Sequence, residues 1–290
     1  MQKSQPNNSE LFSILGSIQL SQGKWKKGLT NIKKASKLDP LSASKHIQAG
    51  EAHLKLREYK EAEKHFDRAI SISTAISDKA SGYRGKALCN LLRDGNLTAA
   101  HRILSEGFSQ TLSSELLGEL IFYNMLKGNY RKALEIFTYP KPNGDTLLIL
   151  NPFLKAQIFS LENLYGQARF YFDSARIQYE SWVAGAPEKA DPHSYLGIAL
   201  GGLGRKEEAI REGRKAIELQ PVSKDAIDGP KWHEYLAQIY TMAGEPDSAI
   251  DQLEYLLSIP SEISVSLLRI DPAWAPLRNH PRFQKLLAKK

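Results

Sequence analysis

Two sets of side chains in this sequence are spaced so that they could do chemistry. His46 and His53 lie seven residues apart and share one face of a predicted helix, as two metal ligands could. No acid or thiol beside them completes a ligand set, so we expect structural or solvated histidines. Ser42 and Lys45 form an SxxK sequence, the spacing of a nucleophilic serine and its lysine in one hydrolase class. They straddle the helix break predicted after Pro40 and lack the other motifs of that class, which indicates a coincidence.

The sequence contains one cysteine, Cys89, which excludes an internal disulfide and a thiolate metal cluster within one chain. It lies among alanine and leucine residues of a predicted helix, where a small buried thiol is common. A reactive thiolate would need a basic or helix-start setting, and the nearest basic residues are Lys86 and Arg93. No phosphate-binding loop, GxGxxG, HExxH, nucleophile elbow or kinase motif occurs. We therefore predict a protein without catalytic residues, metal or cofactor.

Length and composition limit the class of protein. At 290 residues the chain is too long for one ordinary globular core and suits two domains or one continuous array. Its 42% apolar and 24% charged residues are typical of a folded protein, and only the polar residues 1–8 are expected to be disordered. No stretch of about 18 apolar residues could span a bilayer. We expect a soluble cytoplasmic chain, or a periplasmic one if it is fused to a membrane-spanning protein.

The elements that would position these side chains are clearest in residues 190–221. A first apolar stripe at helical spacing ends in a glycine cluster around Gly204, and a second stripe follows it. Small residues at Gly197, Ala209 and Ala216 stand where two antiparallel helices would cross, since a larger side chain there would overpack the crossing. The segment predicts a packed helical hairpin.

The same hairpin recurs along the chain. Each turn carries glycine or a substitute for it, and alanine or glycine follows five residues later. The turn residues are Gly23, Arg57, Gly95, Gly128, Asn163, Gly204 and Gly244. Their period is about 34 residues, with insertions that loops can absorb. This pattern resembles the tetratricopeptide repeat (TPR), which places a small residue in the first helix, glycine at the turn and alanine in the second helix.

The resemblance implies an all-α fold, a right-handed superhelical TPR solenoid of about seven helix-turn-helix repeats. We assign residues 9–261 to this array and residues 262–290 to a C-terminal capping segment. Within the array, Gly107 is expected to shorten the second helix of the third repeat. Proline and glycine in residues 138–147 predict a loop after the fourth repeat.

The C-terminal sequence SVSLLRIDPAWAPLRNHPRFQKLL resembles the ending that follows TPR arrays in a group of bacterial signalling proteins. In those proteins the array lies C-terminal to a Ser/Thr kinase, a nucleotide cyclase or a winged-helix DNA-binding domain. The resemblance implies that the chain is the regulatory or sensory part of such a signalling system. Within the ending, Trp274, Leu277 and Phe283 are expected to cover the open apolar face of the last repeat.

In a TPR solenoid the first helices of the repeats line a concave groove, and side chains one helical turn apart share the groove face. The residues predicted to bind a partner there are Ile47, Leu54, Leu92, Phe122, Met125, Phe153, Gln157, Ile198, Glu234 and Gln238. Phe122, Met125 and Phe153 are the expected anchors for an amphipathic helix or an extended peptide. A tighter superhelix would instead bury the same side chains as core.

These features favour a non-catalytic scaffold that binds a protein or peptide ligand. One TPR class clamps the C-terminal carboxylate of chaperones with lysine and asparagine, but the corresponding positions here cannot make that clamp: Ser13, Ser17, Ile47 and Glu51. A second hypothesis is binding of nucleic acid or another polyanion through the lysines of residues 24–37, given a net charge of +7. The third is an enzyme with an unrecognised polar site.

Overall fold

A computed structural model of the chain describes residues 8–138 and 152–288. All regular elements in these two segments are helices, and neither segment contains a strand. The predicted all-α fold class is therefore confirmed. Residues 1–7 and most of the loop predicted at 138–147 lie outside the described residues. Asn8 is not part of a disordered end, because its side chain accepts a hydrogen bond from the backbone N–H of Leu11 and caps the first helix.

The chain divides into two compact units. Unit 1 comprises Met1–Leu120 together with Ser223–Ile227, and unit 2 comprises Ile121–Val222 together with Asp228–Lys290. The helices that begin in unit 1 are α1 (Ser9–Ser21), α2 (Trp25–Leu38), α3 (Ala43–Lys55), α4 (Tyr59–Ile72), α5 (Ile76–Asp94), α6 (Leu97–Thr111) and α7 (Ser114–Leu126). The helices of unit 2 are α8 (Tyr130–Ile136), α9 (Pro152–Leu161), α10 (Tyr165–Gly185), α11 (Ala190–Gly202), α12 (Lys206–Leu219), α13 (Gly229–Ala243), α14 (Pro246–Ser258), α15 (Val265–Ile270), a 3-10 helix (Pro272–Leu277) and α16 (Pro281–Leu287).

Successive helices pack as antiparallel hairpins within each unit, and a left-handed residue stands at every one of the seven predicted turn positions. The five glycines have φ between +70° and +80°, while Arg57 and Asn163 have φ of 60° and 61°. Glycine adopts this conformation without steric cost, and asparagine tolerates it better than most residues. In six of the seven turns, the residue after the left-handed one donates its N–H to the carbonyl five residues earlier, as Lys24 does to Gln19 at 2.8 Å.

The hairpins pack closely where small residues meet. A Cβ added to Gly197 of α11 would lie 3.0 Å from the carbonyl oxygen of Ala209 in α12, so the two backbones approach at the predicted crossing. The expected effect of Gly107 is wrong: α6 continues through it to Thr111. A Cβ at Gly107 would lie 2.5 Å from the ring of Tyr83, so glycine is needed there for contact with α5 rather than for ending a helix.

Residues 223–227 belong to unit 1, although they follow α12 in the sequence. The N–H of Ala226 donates to the carbonyl oxygen of Ser21 at 2.7 Å, and the Ser21 hydroxyl donates to Asp225 at 3.1 Å. Ile227 packs against a buried cluster that includes Leu20 and Ile32. We call residues 223–227 the docking loop, because their contacts with α1 complete the apolar cluster of unit 1.

The C-terminal sequence forms α15, the 3-10 helix and α16. Trp274, Leu277 and Phe283 are almost completely buried, as expected for residues that cover an apolar face. Arg282 donates to three carboxylates of α14, at 2.9 Å to Asp247 and at 2.7 Å and 3.0 Å to Asp251 and Glu254, respectively. These contacts attach α16 to the preceding hairpin. The assignment of residues 262–290 as a cap stays a prediction.

Candidate functional site

The ten residues predicted to bind a partner separate into buried and accessible groups. Ile47, Leu54, Leu92 and Ile198 have at most a tenth of their surface exposed and pack inside the described structure. Burial leaves these four side chains little surface with which to contact a partner, as the alternative of a buried core anticipated. Met125 is buried to a similar extent, at 6% exposed, but it lines a cavity. Helical periodicity indicates which face a residue occupies, but not how deeply the neighbouring helix covers that face.

Four of the remaining residues meet at one cavity of unit 2, with a volume of about 240 Å³. Phe122 and Met125 come from α7, and Gln157 comes from α9 together with Ser160 and Leu161. Their spacings of three or four residues place each set on one helix face. We call this space the Phe122 cavity.

Helix α13 and the 3-10 helix form the other side of the Phe122 cavity. Gln238, Thr241 and Met242 of α13 are again three or four residues apart and share one face. The Thr241 hydroxyl donates to the carbonyl oxygen of Ala237, so its hydrogen-bonding capacity is partly used within the helix. The side chain of Gln238 has no hydrogen-bond partner among residues 8–138 and 152–288, and neither do the side chains of Gln157 and Ser160, which also line the cavity. The cavity thus combines an apolar lining with amide and hydroxyl groups that can bind a ligand.

Asp271 is the charged residue at the Phe122 cavity. Its Oδ1 accepts the backbone N–H of Ala273 at 2.9 Å and so caps the 3-10 helix. Burial raises the pKa of the Asp271 carboxyl to about 6, because removal from water disfavours the ionised form. The Ala273 N–H and the charge of Arg278 oppose this shift. The sequence analysis assigned Asp271 only to the C-terminal ending and did not predict it as a site residue. Its acidic side chain was the one signal that could have identified it.

Two predicted residues lie outside the Phe122 cavity. Phe153 packs against the cluster formed by Ala156, Ala168 and Phe172, and Phe172 also lines the cavity. Glu234 is partly exposed on α13, one turn before Gln238, and does not line the cavity. Phe122 and Met125 therefore reach the Phe122 cavity and Phe153 does not line it, so the role of Phe153 as an anchor stays a prediction.

Comparison with known families identifies the repeat. A family model described as the tetratricopeptide repeat matches residues 15–80, which include the turns at Gly23 and Arg57. Residues 15–80 contain tetratricopeptide repeats. The matched range covers α2, α3 and α4, and the later hairpins have left-handed turns of the same kind. No curated protein shows significant sequence similarity to the chain.

The chain is similar to solved TPR structures at low sequence identity. A tetratricopeptide repeat protein from Parabacteroides merdae is 13% identical, covers 96% of this chain and 97% of its own, and has a TM-score of 0.51. The C-terminal part of a TPR protein from Cytophaga hutchinsonii is 15% identical over 93% of this chain and 100% of its own, with a TM-score of 0.43. The TPR2AB domain of yeast Sti1, in its complex with pHSP90, is 15% identical over 93% and 98%, with a TM-score of 0.38. Similarity to the first of these supports the fold alone.

The predicted histidine pair of the second TPR hairpin gains a third member. His46 and His65 approach with their Nδ1 atoms 3.1 Å apart, and the ring of His53 stacks on that of His65. His53 also contacts Glu58 through Nδ1 at 2.5 Å. Burial and the neighbouring histidines lower the pKa of His65 to about 4, which keeps its ring neutral. No group of three His, Cys, Asp or Glu in the described segments has a geometry that could hold a metal ion.

The other candidate reactive groups of the TPR hairpins are engaged or buried. Lys45 forms ion pairs with Asp39 at 3.1 Å and Glu10 at 3.5 Å, so it is not a base for Ser42. Cys89 is fully buried, and burial raises the pKa of its thiol to about 12. A thiol with this pKa is protonated at neutral pH and is a poor nucleophile.

The lysines of residues 24–37 are all exposed along the first TPR hairpin. Lys34 lies over the ring of Phe12 at 3.9 Å, which uses one of these charges within unit 1. Trp25, the aromatic residue among them, packs against the buried cluster of Leu20 and Ile32 and is not free to stack on a base. No described helix has both the length and the apolar character required to cross a bilayer.

Proposed function

We propose that the protein is a non-catalytic interaction scaffold that binds a peptide or a partner helix through the Phe122 cavity. The observation that carries this proposal is the convergence of residues from α7, α9 and α13 on one space. Phe122, Met125, Gln157 and Gln238 were selected from the repeat pattern as groove residues and line the same cavity. TPR hairpins are general protein-interaction modules, and no reactive set of residues competes with this role in the described chain.

The lining of the Phe122 cavity suits a side chain that anchors a partner. Binding sites combine a mostly apolar lining with a few polar groups that fix orientation. Here Phe122, Met125 and Met242 supply apolar surface, and methionine adapts easily to ligands of different shape. Gln157 and Gln238 supply amide groups that can pair with a peptide backbone. An inserted side chain at such a place would carry much of the binding energy.

Peptides selected from a displayed random library test this proposal. Their dissociation constants would be measured by fluorescence anisotropy with the full chain and with Phe122→Ala. We expect binding to weaken by about tenfold or more, because a central aromatic contact is lost. Phe170→Ala is the matched control, since Phe170 is highly exposed on α10 and does not line the cavity. Equal affinities for the wild type and Phe122→Ala would contradict the cavity as the binding site.

We further propose that the scaffold is the regulatory or sensory part of a bacterial signalling system, in the cytoplasm unless it is fused to a membrane-spanning protein. The C-terminal ending supports this proposal through its resemblance to signalling proteins. Several positions that match the ending of those signalling proteins have clear structural roles here. Trp274 and Phe283 are buried, and Arg282 forms ion pairs with α14. Reconstitution with the kinase, cyclase or winged-helix regulator of the source organism would test it. A partner output that is the same with and without the scaffold would contradict the signalling role.

A further inference from the structure

We infer that the Phe122 cavity selects a partner peptide that presents an arginine side chain, whose guanidinium group pairs with Asp271. This inference rests on the proposed function and adds the chemistry of the residue that enters the cavity. Three properties of the cavity lead to it: its volume, its single charge and its set of hydrogen-bond acceptors.

The volume suits one long side chain. Pockets that hold drug-sized molecules measure about 300 to 1,000 Å³, and the Phe122 cavity has about 240 Å³. A whole helix or a nucleotide therefore does not enter, whereas a single side chain does. Phe122, Phe172 and Met242 are positioned to cover the methylene groups of an inserted side chain.

The single charge indicates a cationic group. Among the described residues that line the cavity, Asp271 alone is charged. It forms no ion pair with a described residue, since Arg278, whose charge acts on it, lies beyond ion-pair distance, and a buried carboxylate without a paired cation is energetically unfavourable. Capping of the 3-10 helix does not require this charge, because asparagine or serine would accept the Ala273 N–H equally well. The helix cap alone does not explain why this residue is charged. A cation that enters the cavity would pair with the Asp271 carboxylate.

The set of acceptors favours arginine over lysine. A guanidinium group carries five N–H donors in a plane, and it stacks on aromatic rings more readily than an ammonium does. The cavity offers the Asp271 carboxylate and the amide oxygens of Gln157 and Gln238 as acceptors, with the rings of Phe122 and Phe172 beside them. A lysine ammonium, with three donors at one point, would leave more of these acceptors unpaired.

The protonation of Asp271 gives the interaction a pH dependence. The groups facing Asp271 from α13 and α9 are uncharged, and Arg278 at the end of the 3-10 helix is the cation that acts on it. With the pKa of this carboxyl at about 6, it is largely protonated at pH 5 and ionised at pH 7.5. Arginine binding should therefore strengthen as pH rises across this interval, whereas binding of an apolar side chain should not change.

Methionine methyl groups allow a direct test. The chain has three methionines, of which Met125 and Met242 line the Phe122 cavity and Met1 lies outside the described residues. The full chain with ¹³C-methyl methionine would be titrated with N-acetyl-arginine amide, N-acetyl-citrulline amide and N-acetyl-norleucine amide. We expect saturable shifts of the Met125 and Met242 signals with the arginine probe alone, weakened at least about tenfold at pH 5. Equal shifts with citrulline or norleucine, or none with arginine, would overturn the inference.

Asp271→Asn separates this inference from the proposed function. Asparagine keeps the acceptor for the Ala273 N–H, so the cap is retained while the charge is removed. We expect Asp271→Asn to weaken the arginine probe and the selected peptides at least about tenfold at pH 7.5. If selected peptides depend on Phe122 but bind Asp271→Asn with unchanged affinity, the inference fails and the scaffold proposal stands. If no selected peptide depends on Phe122, both fail. The pH profile of the wild-type chain provides the same test without any substitution.

Discussion

The substitution Gly85→Ala tests whether unit 1 depends on close packing around one buried ring. Phe66 of α4 is 1% exposed, and two glycines face its ring, Gly50 from α3 and Gly85 from α5. A Cβ at Gly85 would lie 2.3 Å from two carbons of the ring, and a Cβ at Gly50 would lie 2.7 Å from it. Phe66 cannot yield to the new methyl group without moving other buried atoms, because α3 and α5 both contact it.

The expected cost follows from two opposing effects. Overpacking a core position destabilises by about 1 to 3 kcal/mol, and the upper part of this range, about 2 to 3 kcal/mol, applies here because the contact is much shorter than real Cβ contacts. Alanine in a helix gains about 1 kcal/mol over glycine. We expect Gly85→Ala to lower the free energy of unfolding by about 1 to 2 kcal/mol. Urea denaturation followed by circular dichroism measures this change, and hydrogen exchange in α4 and α5 assigns it to unit 1.

Two further variants make the test decisive. Gly166→Ala is the control, since nothing lies within 4 Å of a Cβ at this position, and its stability should equal or slightly exceed that of the wild type. Phe66→Leu should partly relieve the strain of Gly85→Ala, so the double variant should be more stable than the sum of the single effects predicts. Unchanged stability of Gly85→Ala, or strict additivity with Phe66→Leu, would refute the packing argument.

Three other predictions concern stability and reactivity. Burial lowers the pKa of both His46 and His65 in the folded state, that of His65 to about 4, so below pH 6.5 the unfolded state binds more protons than the folded state. The free energy of unfolding should fall by about 1 to 2 kcal/mol as pH drops from 6.5 to about 4, after allowance for the partial exposure of His65. His65→Gln should reduce this loss, as measured by urea denaturation at each pH. Leu112 has φ of 48° and is largely exposed, so Leu112→Gly should raise stability by about 0.5 to 1 kcal/mol, whereas Leu112→Val should lower it in the same assay. Cys89 should resist iodoacetamide in the folded chain at pH 8 and react fully in urea, as followed by mass spectrometry; rapid native labelling would contradict its burial.

The hairpin architecture could be predicted from the sequence because its turns require particular residues. A left-handed turn favours glycine, and the fixed distance from each turn to the next alanine identified even Arg57 and Asn163 as substitutes. The periodicity did not predict the length of each helix, and the shortening expected from Gly107 is wrong, since α6 extends to Thr111. Glycine has two uses, a special backbone angle and a close contact, and sequence alone does not distinguish them.

The candidate site could be predicted only in part. Repeat positions identified Phe122, Met125, Gln157 and Gln238, since each shares a helix face with its neighbours. They did not distinguish these from residues that lie outside the Phe122 cavity, such as Ile198, because burial and access depend on which helix packs above. Asp271 escaped prediction for a related reason, since it comes from outside the repeat pattern and reaches the cavity through tertiary packing. Contacts between distant parts of a chain leave no periodic pattern in the sequence.

The docking loop has a consequence for how the protein is made. During synthesis Leu120 leaves the ribosome well before Ile227, by roughly 5 to 20 seconds at usual rates of elongation. Until then Leu20 and Ile32 lack the side chain of Ile227 as an apolar neighbour, and the Ser21 carbonyl oxygen lacks the N–H of Ala226 as its hydrogen-bond donor. A transcript truncated before codon 223 would thus give a first unit that is never finished, and a chaperone that recognises nascent apolar surface would meet it at α1 and α2.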